Sequence, residues 1–170
     1  PTLFPYTTLF RSHGTRTGEQ VKMGAVQAAG DELGILLQYP PSVRQVELRV
    51  GVSYVSIANA RANLDAEAPP SRPFSDLVKG ARDAWEVYLG RIRVKGGTET
   101  QQRIFHTALY RTAMMPTLFT DVTREYIGFD GQIHKAEDFT YYTDFSLWDT
   151  FRTAHPLYNL VARRETEDFM

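Results

Sequence analysis

Apolar and polar residues alternate between residues 20 and 55, and this alternation predicts β-strands. The clearest case places an apolar side chain at every second position, at Val46, Leu48, Val50, Val52 and Tyr54. Two shorter apolar runs precede it, VKMGAV (residues 21–26) and ELGILLQY (residues 32–39), and turn-forming residues separate the three. Three consecutive short strands are typical of the end of an antiparallel sheet, interpreted here as part of a sandwich.

Helical spacing replaces the alternation at Ser56. A serine is a favoured N-cap, and apolar residues recur after it at three- to four-residue intervals, which predicts a short helix. The stretch APPSRP (residues 68–73) ends this helix, because proline removes a backbone donor and stiffens an extended chain. We therefore predict a linker at residues 68–73, the end of one domain in residues 13–67 and the start of another in residues 74–170.

The chain beyond the linker is predicted to be mainly helical. An apolar stripe follows a predicted N-cap at Ser75, ends at Gly90, and comprises Leu77, Val78, Ala81, Trp85, Tyr88 and Leu89. Thr98 and Gln101 have the spacing of a capping box for the next helix, which Pro116 stops.

Shorter elements are predicted in the last third of the chain. The segments REYIGF and QIH flank Asp130-Gly131 and predict a β-hairpin. A helix is predicted over residues 146–154, and a further helix from Pro156.

Composition narrows the class of protein. The 170 residues are 42% hydrophobic and 23% charged, with a net charge of −1, which is ordinary for a globular protein. No block of like charge indicates a nucleic-acid partner or a membrane-surface role, and no apolar run approaches the roughly 20 residues that span a bilayer. The absence of cysteine excludes disulfides and thiolate metal ligands. Residues 2–12 match the translation of a common sequencing-library adaptor, so we interpret residues 1–12 as an artefact.

The densest group of chemically versatile side chains lies in TYYTDFSLWDTFR (residues 140–152). Sugar sites use this mixture, because an aromatic face stacks on the C–H face of a pyranose while a carboxylate accepts hydrogen bonds from hydroxyls. Helical spacing would place Trp148 and Arg152 on one side and would allow Asp149 to pair with Arg152. The alternative is that the rings belong to the core and that the charged pair is a surface salt bridge.

Two other polar groups are weaker candidates. His134, Glu137 and Asp138 have no recognised metal-ligand spacing and are interpreted as a solvated loop. Asn59 and Asn63 lie on the predicted helix before the linker, where they either hold the two domains together or face solvent.

Three long stretches carry a resemblance to a known family: VGVSYVSIANARANLDAE, FHTALYRTAMMPTLFTDV and GFDGQIHKAEDFTYYTDFSLWDTFRTAHPL. They resemble glycoside hydrolase family 92, the exo-acting bacterial α-mannosidases, over about residues 44–160. The resemblance implies an N-terminal β-sandwich joined to an (α/α)6-barrel catalytic domain. This chain would then hold the C-terminal part of an antiparallel β-sandwich followed by the first helices of an incomplete barrel.

The resemblance also implies an activity. The family releases terminal mannose from α-mannosides with inversion and requires calcium, so the expected partner is a mannose-containing oligosaccharide or glycan. The family's catalytic acid, base and calcium ligands lie downstream of the WDTFR motif. They are therefore expected outside this chain, and the fragment alone is expected to be inactive. By position in the motif, Trp148 and Asp149 would bind the terminal mannose, while Asp144 and Arg152 would shape the site or hold Asp149. A periplasmic or extracellular location is also implied.

Two other functions fit the same residues. One is another (α/α)6-barrel glycosidase acting on glucosides, and the other is a non-catalytic carbohydrate-binding or structural piece. Because the barrel would be incomplete, its apolar stripes, including Trp85 and Leu109, are expected to face water, and the product is expected to be sticky and marginally stable.

Overall fold

A computed structural model describes residues 12–169, and this part of the chain combines α-helices with short antiparallel strands. The chain forms two compact units, one ending at Arg49 and one beginning at Val50. The predicted adaptor segment lies outside the described residues except for Ser12.

The first unit contains a three-stranded antiparallel sheet in the order β2-β1-β3. Its strands are β1 (Ser12–Thr17), β2 (Gln20–Met23) and β3 (Leu33–Gln38). The strands predicted from VKMGAV and ELGILLQY are confirmed as β2 and β3. The central strand β1 was not predicted, because it has no apolar alternation. Its Gly14 meets the neighbouring strand closely, since a Cβ there would lie 2.8 Å from the carbonyl oxygen of Lys22.

The strand predicted between Val46 and Tyr54 is wrong. The segment forms no strand, and in the described part of the chain no strand pairs with it. Its apolar side chains are exposed, with 71% of Leu48 and 69% of Val50 accessible to solvent. Alternation gives a segment two distinct faces, but a strand forms only where a neighbour accepts its backbone hydrogen bonds.

The second unit begins with three helices: α1 (Ile57–Glu67), α2 (Phe74–Leu89) and α3 (Glu99–Thr112). The predicted cap of α1 is confirmed, because Ser56 Oγ accepts a hydrogen bond from the Asn59 amide at 3.0 Å. The predicted capping box of α3 is also confirmed, with Thr98 and Gln101 each accepting from the other's backbone amide.

The start of α2 differs from the prediction. Pro73 occupies the N-cap position with extended backbone angles, so the helix begins at Phe74 and Ser75 lies within its first turn. Proline fixes its own φ near the observed −61° and thereby determines where the helix can start.

Four short strands and three further helices follow. They are β4 (Thr117–Leu118), β5 (Glu125–Ile127), β6 (Ile133–Lys135), β7 (Tyr142–Thr143), α4 (Leu147–Thr150), α5 (Ala154–Val161) and α6 (Arg163–Phe169). The predicted hairpin is confirmed as β5–β6, with Tyr126 opposite His134. Strands β4 and β7 form a second antiparallel pair, with Leu118 opposite Tyr142.

The helix predicted over residues 146–154 is shorter than expected. Helix α4 ends at Thr150, and a turn separates it from α5, which begins two residues before Pro156. Proline is tolerated in the first turn of α5 because the amides there have no partner within the helix.

Few apolar side chains of the described residues are fully sequestered: Leu109, Ala136, Tyr158 and Ala162. The expectation that Leu109 faces water is therefore wrong. Helix α5 covers the C-terminal end of α3, where the Tyr158 hydroxyl donates to the carbonyl oxygens of Thr112 at 2.7 Å and Met115 at 3.0 Å. Trp85 of α2 is half-buried, with its ring centroid 4.4 Å from that of Tyr110.

Candidate functional site

The residues predicted to bind sugar lie on a turn that leaves β7 and enters α4. Asp144 follows β7 directly and has a φ of 68°, in the left-handed region that non-glycine residues seldom adopt. Asp144 lies two positions before Ser146, the N-cap residue of α4. The Asp144 side chain is exposed at the outside of the turn.

Trp148 is the most prominent side chain of this segment. The side chain is 80% exposed, and its ring centroid lies 6.4 Å from that of Phe151, which is also largely exposed. An indole with an open face can stack on the C–H face of a pyranose. Trp148 is therefore not a core residue among the described residues, and its ring face is open to a ligand.

Asp149 lies beside Trp148 on α4 and is exposed to solvent. One of its oxygens, Oδ2, accepts a hydrogen bond from the Ser146 hydroxyl, which fixes the carboxylate at the start of the helix. Among the hydrogen bonds of the described residues, Oδ1 accepts none, so it can accept from a ligand hydroxyl.

The predicted pairing of Asp149 with Arg152 is wrong. Among the ion pairs of the described residues these two form none, and the Arg152 guanidinium carbon instead lies 5.3 Å from the Phe151 ring centroid. Helical spacing does not extend to Arg152, because α4 ends at Thr150. For the same reason, Trp148 and Arg152 do not share the face of one helix.

A cluster of aromatic rings packs against this turn. Phe145 stacks on His155 with centroids 5.6 Å apart, and it meets Phe169 of α6 edge-on at 5.1 Å. Tyr142 of β7 also contacts Phe169, at 5.0 Å. The His155 Nε2 atom is buried and has no hydrogen-bond partner among the described residues, so this ring serves as a packing surface.

Two cavities of the second unit lie away from the predicted residues. One, of about 290 Å³, is mainly apolar and includes Trp85, Tyr142 and Tyr158 in its walls. The other, of about 400 Å³, lies beside α1 and includes Asn63 and Asp121. Neither cavity is lined by the four residues predicted to bind sugar, namely Asp144, Trp148, Asp149 and Arg152. Those residues form an open surface, whereas small-molecule sites are usually concave.

A buried polar cluster connects α1 with the chain around β5, and most of it was not predicted. Its centre is the Asn59 amide nitrogen, Nδ2, which lies 2.9 Å from acceptor oxygens of Asp121, Thr123 and Glu125. Asn59 and Asp121 are buried, with 7% and 8% of their surfaces exposed. Hydrogen bonds from Asn59 and then from Thr123 hold the pKa of Glu125 below its usual value.

Asn63 extends the same cluster one turn along α1. Its Nδ2 donates to Asp121 Oδ1 at 2.7 Å and to the carbonyl oxygen of Val52 at 2.9 Å, and its Oδ1 accepts from the Val122 amide at 2.9 Å. Ser53 completes the group by donating to Asp121 Oδ2 at 2.6 Å. The solvent-facing alternative for Asn59 is thus excluded. The signal in the sequence was the four-residue spacing of two asparagines, which places both on one helix face.

His134 belongs to a smaller polar pair on the β5–β6 hairpin. Its Nε2 lies 3.0 Å from both carboxylate oxygens of Asp130. The hydrogen bond from the Gln132 amide, and then the contact with His134, lower the pKa of Asp130. Within residues 12–169, no three histidine, cysteine, aspartate or glutamate residues are arranged to hold a metal ion.

Residues 59–170 match the profile of the glycosyl hydrolase family 92 catalytic domain. This match covers more than half of the chain and contains the aromatic turn and the buried polar cluster, except for the contributions of Val52 and Ser53. The chain belongs to glycosyl hydrolase family 92. The resemblance noted from the sequence is therefore confirmed.

Solved family 92 structures match nearly the whole chain. The α-mannosidase BT3965 from Bacteroides thetaiotaomicron is 26% identical with a TM-score of 0.75, and the match covers 94% of this chain and 22% of that one. The same enzyme matches equally well in complex with mannoimidazole. The family 92 hydrolase ccman5 is 26% identical with a TM-score of 0.79, covering 92% of this chain and 21% of that one. The inverting mannosidase BT2199 from Bacteroides thetaiotaomicron VPI-5482 is 28% identical with a TM-score of 0.74, covering 94% and 22%.

The 170-residue chain spans only 22% of the length of BT3965, the first of these relatives. A comparison with curated proteins found no match. No helix in the described part of the chain combines the length and apolar character needed to cross a membrane.

Proposed function

We propose that this chain is part of an exo-acting family 92 α-mannosidase that releases terminal mannose with inversion. The observation that carries the proposal is the family match over residues 59–170, which includes the exposed Trp148 and Asp149 of the WDTFR motif. Support comes from the relatives, which are named as mannosidases, one of them as inverting and one as a complex with mannoimidazole. The substrate would be a mannose-containing oligosaccharide or glycan.

The proposed fold of the complete protein is a β-sandwich followed by an (α/α)6 barrel. Residues 13–67 would end the sandwich, residues 68–73 would form the linker, and residues 74–170 would begin the barrel. The three-stranded sheet of the first unit and the mainly helical second unit support the order of a sheet domain followed by a helical domain. The second unit already begins at Val50 and includes α1, so it starts before the proposed linker. The remaining barrel helices would close the open surface around Trp148 into a pocket.

Within that pocket, Trp148 would stack on the terminal mannose and Asp149 would accept hydrogen bonds from its hydroxyls. Asp144 would shape the turn that presents both residues, and Arg152 would border the site beside Phe151. Binding and orientation are the contributions of this chain, since proper positioning of a substrate lowers the entropic part of the barrier.

The proton transfers belong to other parts of the protein. Inversion needs a carboxylic acid and a carboxylate about 6.5–9.5 Å apart on opposite sides of the scissile bond. We assign both groups to the missing part of the barrel, so this chain alone would be inactive. Calcium dependence is part of the proposal, and within residues 12–169 no three histidine, cysteine, aspartate or glutamate residues are grouped to hold a metal ion. Its ligands would also lie outside this chain, and the complete enzyme would act in the periplasm or outside the cell.

The test is an assay of the full-length protein, obtained by extending the reading frame from the neighbouring DNA. Mannose release from an aryl α-mannoside and a mannobiose would be measured with calcium and with a chelator. Asp149→Ala and Trp148→Ala are expected to lower kcat/KM by on the order of a hundredfold, because binding contacts at the reacting sugar are lost. Asp138→Ala and Phe129→Ala are the matched controls, since both residues are exposed and lie outside the turn.

The outcomes separate the alternatives. Calcium-dependent release that is lost in the two turn variants and retained in the controls would support the proposal. A folded full-length protein that cleaves aryl α-glucosides but not α-mannosides would replace it with a glucoside-specific enzyme. Binding of mannose without any hydrolysis would indicate a non-catalytic sugar-binding role.

A further inference from the structure

The Asn59 side chain is the most heavily used polar group of the second unit. Its Nδ2 carries two hydrogens and lies 2.9 Å from three acceptors, two of which are the carboxylates of Asp121 and Glu125. Its own oxygen accepts from the Ser56 hydroxyl at 3.0 Å. A single neutral amide therefore links two carboxylates. Without it, each carboxylate would lose a hydrogen-bond donor and the two negative charges would face each other directly.

A series of hydrogen bonds links Asp121 of this cluster to the proposed sugar-binding turn (residues 144–149). The preceding residue, Thr120, accepts from the Tyr141 amide at 2.7 Å through its hydroxyl, and that hydroxyl lies 3.3 Å from the Tyr141 carbonyl oxygen. The Phe119 amide also donates to the Tyr141 carbonyl oxygen at 2.9 Å. The chain around residue 120 is thereby tied to the chain around residue 141 by both side-chain and backbone bonds.

The same contact continues as the β4–β7 ladder, which ends one residue before Asp144. Thr117 lies opposite Thr143, and Leu118 lies opposite Tyr142. The segment that ends this ladder carries Asp144, Trp148 and Asp149. The position of the sugar-binding turn thus depends on the segment 117–121, and the position of that segment depends on its bonds to α1.

We propose that Asn59 is a positioning residue for the sugar-binding turn, acting through Asp121 and the β4–β7 pair. This inference rests on the proposed mannosidase function, because the turn needs a ligand for its position to matter. Asn59 does not touch substrate. Its role is to keep Asp121 and Glu125 at one fixed separation, so that residues 117–121 hold β7 and the turn after it in the geometry that fits the sugar.

The chemistry predicts what replacement would do. Asn59→Ala removes the shared donor and leaves the buried Asp121 and half-buried Glu125 carboxylates without the amide between them, so residues 117–125 would shift relative to α1. Misplacement of binding residues by about 1 Å can cost on the order of a hundredfold in catalytic efficiency even when the change is remote. Because the proton-transfer groups lie elsewhere, the loss is expected in KM more than in kcat.

The experiment uses the full-length enzyme with an aryl α-mannoside. Asn59→Ala is expected to raise KM on the order of tenfold or more while kcat changes by less than about threefold. Leu109→Ala is the matched control, because it removes a buried side chain of α3 and lowers the melting temperature without touching the cluster. Its KM is expected to stay within about twofold of the wild-type value.

A second variant tests the hydrogen-bond pattern rather than the volume at position 59. Asn59→Asp alone places a third carboxylate in the cluster and is expected to raise KM at least as far as Asn59→Ala. Combining Asn59→Asp with Asp121→Asn exchanges donor and acceptor and restores an amide–carboxylate pair. The double variant is expected to recover part of the lost affinity, because the bond to position 121 returns while the carboxylate at position 59 still faces Glu125. The size of the recovery measures the coupling between positions 59 and 121.

Hydrogen exchange supplies a readout that does not need turnover. In Asn59→Ala, the amides of Phe119 and Tyr141 are expected to exchange faster because their bonds join the two segments, whereas Leu109→Ala leaves them protected. An unchanged KM and unchanged exchange in Asn59→Ala, with only a lower melting temperature, would overturn the positioning role. A wild-type enzyme without activity on mannosides would instead refute the proposed function, and the exchange experiment would still decide the position of the turn.

Discussion

The backbone of Asp144 is the most informative single-residue feature of the turn between β7 and α4. A non-glycine residue at φ 68° costs of order 1 kcal/mol or more, and such conformations often occur at functional sites. Asp144 has two possible roles: its carboxylate contacts the sugar, or its backbone orients Trp148 and Asp149. The two roles can be separated because glycine adopts the left-handed region without strain.

Replacing Asp144 by glycine and by alanine distinguishes these roles. If the backbone conformation matters, Asp144→Gly keeps KM of the full-length enzyme within about twofold of wild type, whereas Asp144→Ala raises KM and destabilises the protein by about 1 kcal/mol. Steady-state kinetics and chemical denaturation of both variants measure the two effects. Equal increases of KM in both variants would show that the carboxylate itself binds the sugar.

Hydrogen bonding between elements explains how the second unit holds α1 against β5. Asn59 of α1 lowers the pKa of Glu125 on β5, so the ionised carboxylate stabilises the folded state. Since the folded pKa lies below the unfolded one, this stabilisation is complete above the ordinary glutamate pKa of about 4.3. It is lost as the pH falls through the lowered folded value.

The pH dependence of Glu125→Gln follows from this sign. At neutral pH the variant is expected to melt at a lower temperature than the wild-type full-length protein, because a charge-assisted bond is replaced by a neutral one. The difference is expected to shrink as the pH falls below about 4.3, where the carboxylate of the unfolded chain takes up a proton, and to disappear once the pH passes the lowered pKa of the folded state. Melting curves of both proteins between pH 3 and pH 7 measure this difference, with Asp138→Asn as the control. A difference in melting temperature that stays constant over this range would contradict the stabilising role of the ionised Glu125.

The elements that could be predicted from the sequence are those with local signals. The caps at Ser56 and Thr98 and the turn at Asp130-Gly131 determine nearby backbone geometry, and each appears in the structure. The unpredicted elements depend on distant partners. Strand β1 forms because β2 and β3 flank it, and the segment at Val50 stays unpaired because alternation alone supplies no neighbour.

The same distinction applies to the candidate site. The aromatic and acidic residues of the WDTFR motif are adjacent in sequence, so their grouping was predictable, although the early end of α4 separated Arg152 from Asp149. Asp121 and Glu125 lie more than 60 positions from Asn59 and could be identified as its partners only from the folded chain. The predicted sugar-binding roles of the turn residues stay predictions until the kinetics are measured.

At the scale of the whole molecule, exposed apolar surface dominates the expected behaviour. Few side chains of the described residues are fully buried, whereas Val87 is 70% exposed, Ile104 64% and Leu160 82%. Large apolar side chains on open helix faces usually mark surfaces that another part of a protein covers. This pattern agrees with a chain that spans about a fifth of the length of its relatives.

The isolated 170-residue chain is therefore expected to be marginally stable and to self-associate. Size-exclusion chromatography should show concentration-dependent oligomers, and heating should give a broad transition with binding of a hydrophobic dye before it. The full-length protein is the control and should melt cooperatively. A monomer of the isolated chain with one sharp melting transition would contradict the prediction.

The long sequence separation within the buried polar cluster has a consequence for synthesis on the ribosome. Asn63 and Asp121 are 58 positions apart, and Asn59 and Glu125 are 66 apart, so α1 emerges well before its partners. Contacts of this separation form late, because the intervening chain must first be brought to closure. The face of α1 that later contacts these partners carries the side-chain amides of Asn59 and Asn63 rather than apolar groups. Water can therefore form hydrogen bonds with this face during elongation. The nascent helix thus avoids the premature aggregation to which an exposed hydrophobic face would be prone.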